Sequence, residues 1–144
     1  MAFSGSAICN SFKVELLKAL HNFSFGSGNV FNMALYTSTA TLSATTTAYT
    51  ATGEVPNGGG YTAQGIALTN IEPSNTGVIA FTNFQNAVWT SATFTARGSL
   101  IFNVTNTNRS VAVLDFGSDK TVAAGTFTVV MPANVAASAL LRLE

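Results

Sequence analysis

The chain has 144 residues, with six basic and six acidic side chains, one histidine and one cysteine, and charged residues make up 8% of it against about 25% in an ordinary soluble domain. That length fits one domain, residues 1–144, burying roughly two thirds of its unfolded surface in a single core. Balanced charge gives no field to draw nucleic acid, an anionic membrane or an acidic substrate, and one Cys with one His builds neither an internal disulfide nor a Cys/His zinc site.

So few charges also leave large uncharged areas facing water, and we expect other subunits to cover much of them. The start, "MAFSGSAICN", lacks the basic residues and continuous apolar core of a secretion signal. With Cys9 unpaired, folding in a reducing cytoplasm is expected. The following stretch, "NSFKVELLKALHNF", places Phe12, Leu16, Leu20 and Phe23 on one helical stripe and leaves Lys13, Glu15 and Lys18 off it. It predicts a helix over about 10–24, capped by Asn10 or Ser11 and over by Gly26 or Gly28. His21 falls near its end, where an imidazole serves the last carbonyls rather than a metal or a substrate.

Everything from about 30 to 143 reads as strand. In "VFNMALYTS", Phe31, Met33 and Leu35 point one way and Asn32 and Ala34 the other. Similar runs occur in "YTAQGIALTNI", "GVIAFTNF", "SATFTARGSLIFNVTN", "SVAVLDF" and "GTFTVVM", giving six or seven strands. Breaks fall at "PNGGG" (56–60), "PSNTG" (73–77), "TNTNR" (105–109) and "GSDK" (117–120). The expected fold is mainly all-β, an antiparallel β-sandwich or barrel with one short N-terminal helix. The uncharged run Thr121 to Leu141 contains Gly125, Pro132 and Asn134 and alternates as a strand, so it is not read as a membrane span.

Between the first strand and the second lies "TTTAYTATGEVPNGGGY", Thr45 to Tyr61, built from hydroxyls, small side chains and glycines around Glu54. We read about 40–61 as an extended arm or hairpin that contacts neighbouring subunits through Thr45, Thr46, Thr47, Tyr49, Glu54 and Tyr61, and expect its deletion to spare the fold. Its glycines match neither the dinucleotide fingerprint nor the phosphate loop. Trp89 with Tyr49 and Tyr61 could form an aromatic platform for sugar; the commoner arrangement is a buried Trp with its N–H satisfied.

"DFGSDK" has the Asp-Phe-Gly of kinases without the other kinase motifs, and reads as a strand in which Asp115 leaves the sheet, Gly117 to Asp119 turn and Lys120 restarts. Asn22, Asn103 and Asn108 begin N-x-S/T triplets, which a chain this rich in Asn, Ser and Thr produces by chance. Arg97 and Arg109 are too few for a phosphate track. No catalytic, cofactor-binding or metal-binding residue is assigned, and no cofactor is expected.

The segments "FNMALYTSTATLSATTTAYTATGEV", "GGGYTAQGIALTN", "VWTSATFTARGSLIFN" and "SVAVLDFGSDKTVAAGTFTVVMP", with "SFKVELLKALHNF" before them and "ALLRLE" after, resemble a family of small structural proteins of tailed bacteriophages. The resemblance covers most of the chain and carries over no catalytic residue. It implies a virion protein made in the host cytoplasm, most simply a capsid decoration or cement subunit on the shell. Proteins of that class are often trimers and contact copies of themselves and the major capsid protein. The alternatives are a tail or tail-fibre attachment component, or a receptor-binding or carbohydrate-binding module with Trp89 exposed. An enzyme relying on His21, Asp115 or Asp119 comes last.

Overall fold

The computed structural model describes residues 3–144. In chain order the elements are β1 (Ala7–Ile8), α1 (Asn10–Leu17), β2 (Phe31–Tyr36), β3 (Ile66–Ala67), β4 (Asn70–Thr76), β5 (Ile79–Phe84), β6 (Ala87–Asn103), β7 (Arg109–Val129) and β8 (Leu141–Leu143). Five strands make one antiparallel sheet in the order β1-β7-β6-β2-β3, and three make a second in the order β4-β5-β8. The fold is mainly β and sandwich-like with one short helix, as the alternation of the sequence predicts.

The frame is the hairpin of β6 and β7, 17 and 21 residues long. A straight 17-residue strand would span roughly 55 Å. Yet Phe84, just before β6, has its ring 5.4 Å from that of Phe31, which pairs with Asn103 at the far end of β6. The hairpin therefore folds back on itself. One bend lies where the register slips between Trp89 and Phe94, with Ser91 and Ala124 both in left-handed backbone (φ 49° and 48°) and Thr93 Oγ1 accepting the Ala124 N–H at 2.9 Å.

The other bend lies between Ala96 and Gly98, which face Lys120 and Asp115, so that Phe116 to Asp119 bulge opposite Arg97 alone. The turn predicted at 117–119 is therefore a bulge inside one continuous strand. Asp115 Oδ1 holds it, accepting the Gly117 N–H (2.9 Å) and Arg97 Nε (3.2 Å). The break predicted at 73–77 is likewise largely strand: β4 runs through Pro73, with a register slip between Ile71 and Ser74, which an edge strand tolerates.

Aromatic rings join the two layers. Phe31 of β2 stacks on Phe23 at 4.6 Å with 6° between planes and meets Phe84 of β5, while Phe12 of α1 closes on Phe23 at 6.0 Å. Phe23 reaches this core from a loop. The helix stops at Leu17 instead of continuing to 24, because Leu20 donates its N–H to the Glu15 carbonyl (3.0 Å) and Ala19 to the Leu16 carbonyl (3.1 Å), with Ala19 left-handed at φ 56°. This reverse turn carries no Gly or Pro, so the stripe alone could not show it.

The expected extended arm is corrected. Ala40, Leu42, Val55 and Tyr61 are buried, and the segment crosses the large sheet from β7 to β2. At one side Ser110 donates to the Thr47 carbonyl (3.1 Å) and Tyr49 to the Asn108 carbonyl (2.9 Å); at the other Val55 donates to the Leu35 carbonyl (2.9 Å). Small residues allow the backbones this approach, and deleting the segment would open the core rather than spare it.

An alanine in left-handed backbone costs about 1–2 kcal/mol that glycine does not. Ala19→Gly, at an exposed position, is expected to stabilise the fold by about 0.5–1 kcal/mol after glycine's extra unfolded-state entropy is subtracted. Denaturant melts of the two proteins check this; an unchanged or lower midpoint contradicts the left-handed cap.

Candidate functional site

Of the six residues predicted to contact other subunits, the fold gathers three into one internal cluster. Glu54 accepts hydrogen bonds from Tyr49 Oη (2.5 Å), Tyr61 Oη (2.6 Å) and the Gln64 N–H (2.6 Å). Tyr61 Oη accepts the Leu35 N–H at 2.9 Å, and Tyr36 Oη donates to the Thr50 carbonyl at 2.7 Å. The lone acid of the segment thus ties it to β2. Burial first, then the Glu54 carboxylate, push the Tyr49 hydroxyl up to about 12. Tyr61 and Tyr36, more deeply buried, are raised further. Thr45 and Thr47 remain exposed, while Thr46 is half-buried and its Oγ1 accepts the Ser43 N–H.

A second buried polar cluster went unpredicted. Glu15 accepts from His21 Nε2 (2.9 Å) on one oxygen and from Arg109 (2.8 Å) on the other. Asn103 Oδ1 accepts the Asn106 N–H (3.1 Å), which turns Asn103 Nδ2 toward His21 Nδ1 (3.0 Å) and Asn29 Oδ1 (2.9 Å). In this neutral tautomer Nδ1 accepts and Nε2–H donates. The His21 side chain is wholly buried, so the predicted role at the helix carbonyls is corrected: the ring reaches back from beyond the helix to Glu15. Both ring nitrogens are engaged by protein groups.

Burial pushes the Glu15 carboxyl up, but the His21 and Arg109 hydrogen bonds and the Arg109 charge outweigh it and hold the group below its ordinary value. The sequence did contain a signal: Glu15, though off the stripe, lies three residues from Phe12, a spacing that makes the two neighbours on the helix surface. Cys9 is fully buried, and burial, then reinforced by the Glu15 charge, raises its thiol despite a bond with Ser110.

The sugar platform is also corrected. Trp89 and Tyr61 are each 2% exposed, and Trp89 packs under Phe127 at 6.0 Å with its indole N–H meeting no protein acceptor among the described residues. Asp115 serves the bulge and Asp119 stays on the exposed surface. No group of three or more His, Cys, Asp or Glu able to hold a metal occurs among the described residues, and none of their helices is long and apolar enough to cross a membrane.

The other surface of note is the outer face of the folded hairpin. Val88, Thr90, Thr95, Thr121, Thr126, Thr128 and Val130 face water, while Ala87, Trp89, Ala92, Ala96 and Val129 face the core. Thr95 and Thr121 hydroxyls meet across the strands at 2.8 Å. Val130 is 73% exposed, and no charge occurs from Thr121 to Leu141. Among known proteins, no family model, no curated protein and no solved structure matches the chain.

Tyr61→Phe removes a hydroxyl that serves the buried Leu35 N–H and the half-buried Glu54 carboxylate and is expected to cost about 1–3 kcal/mol by denaturant unfolding, with no loss of the strand signal in circular dichroism. Stability should also fall at both pH extremes. Glu15 and Asp115 have lowered carboxyl values, so the folded state binds fewer protons than the unfolded state and loses stability as pH drops below the ordinary glutamate value of 4.5. The tyrosines are raised, so their contribution is complete below their ordinary value of 10.0 and is lost above it. Glu15→Gln should flatten the acid limb and leave the alkaline limb alone, as read from melts across pH.

Proposed function

We propose that this chain is a non-enzymatic structural subunit of a tailed-bacteriophage virion, seated on the capsid shell and in contact with copies of itself. The observation that carries the reading is the uncharged outer surface of the folded hairpin, where threonine hydroxyls and uncovered valines face water together. A surface of this kind suits a lasting contact with another protein, because hydroxyls satisfy hydrogen bonds across an interface without the desolvation cost of charges. The resemblance of the segments quoted above to phage structural proteins supplies the particular assembly.

The chain's own ionisable groups support the same reading. Glu15, His21, Arg109, Glu54, Arg97 and Asp115 are all engaged in bonds that hold the fold together. The contact surface we assign comprises the exposed hydroxyls of Thr45 and Thr47 with the outer face of the hairpin. Tyr49, Glu54 and Tyr61 support it from beneath instead of touching the neighbour.

Particles made from the genome encoding this chain, purified and mapped by electron microscopy, are expected to carry it on the shell surface. Its absence from such particles by mass spectrometry overturns the reading, and density at the tail moves it to an attachment role. Thr45→Glu with Thr47→Glu places two charges on the assigned surface and is expected to reduce incorporation roughly tenfold while leaving the melt unchanged.

A further inference from the structure

We propose that His21 is a proton-operated latch on the hydrogen bond between Asn103 and Asn106, which shapes the turn of the long hairpin, residues 104–108. The inference is independent of the virion reading and concerns the buried cluster alone.

The ring sits where three pieces of chain meet. Nε2 faces Glu15 of α1, and Nδ1 faces the Asn103 amide at the end of β6. Phe12, Phe23 and Phe31 close the remaining sides at ring distances of 4.8, 6.4 and 6.3 Å. The charged groups facing the site are Glu15 and, across its carboxylate, Arg109 of β7; β6 and the loop contribute the amides of Asn103 and Asn29.

The cluster is ordered for the neutral ring. Asn103 can donate to Nδ1 only while its oxygen accepts the Asn106 N–H, and the same amide nitrogen also serves Asn29 Oδ1. The Asn106 side chain donates to the Leu20 carbonyl and to Asn29 Oδ1 (3.3 Å), and Thr105 Oγ1 accepts the Val30 N–H (2.9 Å), so these ties between turn and loop do not pass through the ring.

A second proton on the ring would make Nδ1 a donor facing a donor. The remedy is a half-turn of the Asn103 amide, which offers its oxygen to Nδ1 but removes the acceptor of the Asn106 N–H and the donor to Asn29. Protonation and loss of the Asn103–Asn106 hydrogen bond are therefore one event, while Val30 and the Asn106 side chain keep the turn on the loop.

The test follows the His21 ring nitrogens by NMR across pH in the folded protein, together with hydrogen exchange at the Asn106 amide corrected for its intrinsic pH dependence. As the ring takes its second proton, Asn106 protection is expected to fall at least tenfold. In Asn103→Asp either carboxylate oxygen can accept the Asn106 N–H, so no half-turn removes that acceptor and Asn106 should stay protected throughout. Should that variant fail to fold, His21→Gln, which keeps a donor for Glu15, should hold Asn106 protection constant across the same range. A ring that titrates with Asn106 unchanged, or one that stays neutral until the whole protein unfolds, overturns the latch.

Discussion

The constraint on which this structure depends is that one hairpin must close on itself. Phe116 and Phe127 belong to the same strand, eleven residues apart, and would lie roughly 35 Å from each other if β7 were straight. Their rings are 6.1 Å apart. The hairpin supplies both the middle of the large sheet and the wall of aromatic side chains against which the Thr/Gly segment packs. Gly98 shows how narrow the requirement is at one bend: a Cβ there would stand 2.6 Å from the Leu114 carbonyl oxygen and collide with the Phe3 ring. The absence of a side chain lets Phe3 lie flat on the strand where the register breaks.

That geometry explains where the chain's few charges go. Loops that cross a sheet bring backbone and side-chain polar groups into the interior, and each needs a partner. Glu54 satisfies two tyrosine hydroxyls and a backbone N–H; Glu15 takes His21 and Arg109; Asp115 fastens the bulge. Even Glu72, at the surface, accepts the Phe25 N–H at 2.7 Å. Acids used as acceptors for the chain itself contribute little to a charged exterior, so the surface is left to threonine, alanine and valine. The low charge content that prompted the expectation of an external arm is equally a consequence of internal bonding.

What the sequence disclosed and concealed follows from this division. The apolar runs in "VFNMALYTS" and "SLIFN" mark β2 and the end of β6, strands with a neighbour on each side and, Asn32 apart, both faces buried. Periodicity cannot reveal that "DFGSDK" and "TSATF" are bends within one hairpin instead of boundaries between strands, since a bulge and a turn draw on the same residues. The stripe of α1 overran because Phe23 keeps helical spacing while reaching the core from a loop. Tyr49, Glu54 and Tyr61, read as contacts to other subunits, bond to one another within the chain: their closeness in sequence is visible, but the direction of their side chains is set by the packing of Val55 and Tyr61 in the core.

An uncharged β surface would ordinarily invite uncontrolled pairing along open strand edges. Here the bends that shape the core also break up those edges. β7 slips in register at Ala124 and bulges at Phe116 to Asp119, the loop at Gly59 accepts the Thr93 N–H on the far side of β6 at 2.8 Å, and β4 carries Glu72 and Pro73. On the proposed reading, a partner meets the face of the hairpin with Thr45 and Thr47, not the strand margins. Contact through a face of fixed curvature, lined by short β-branched side chains with few rotamers to lose, selects a partner by shape. The device that lets a chain with so few charges build a core is thus also the one that keeps its exposed threonines from pairing at random.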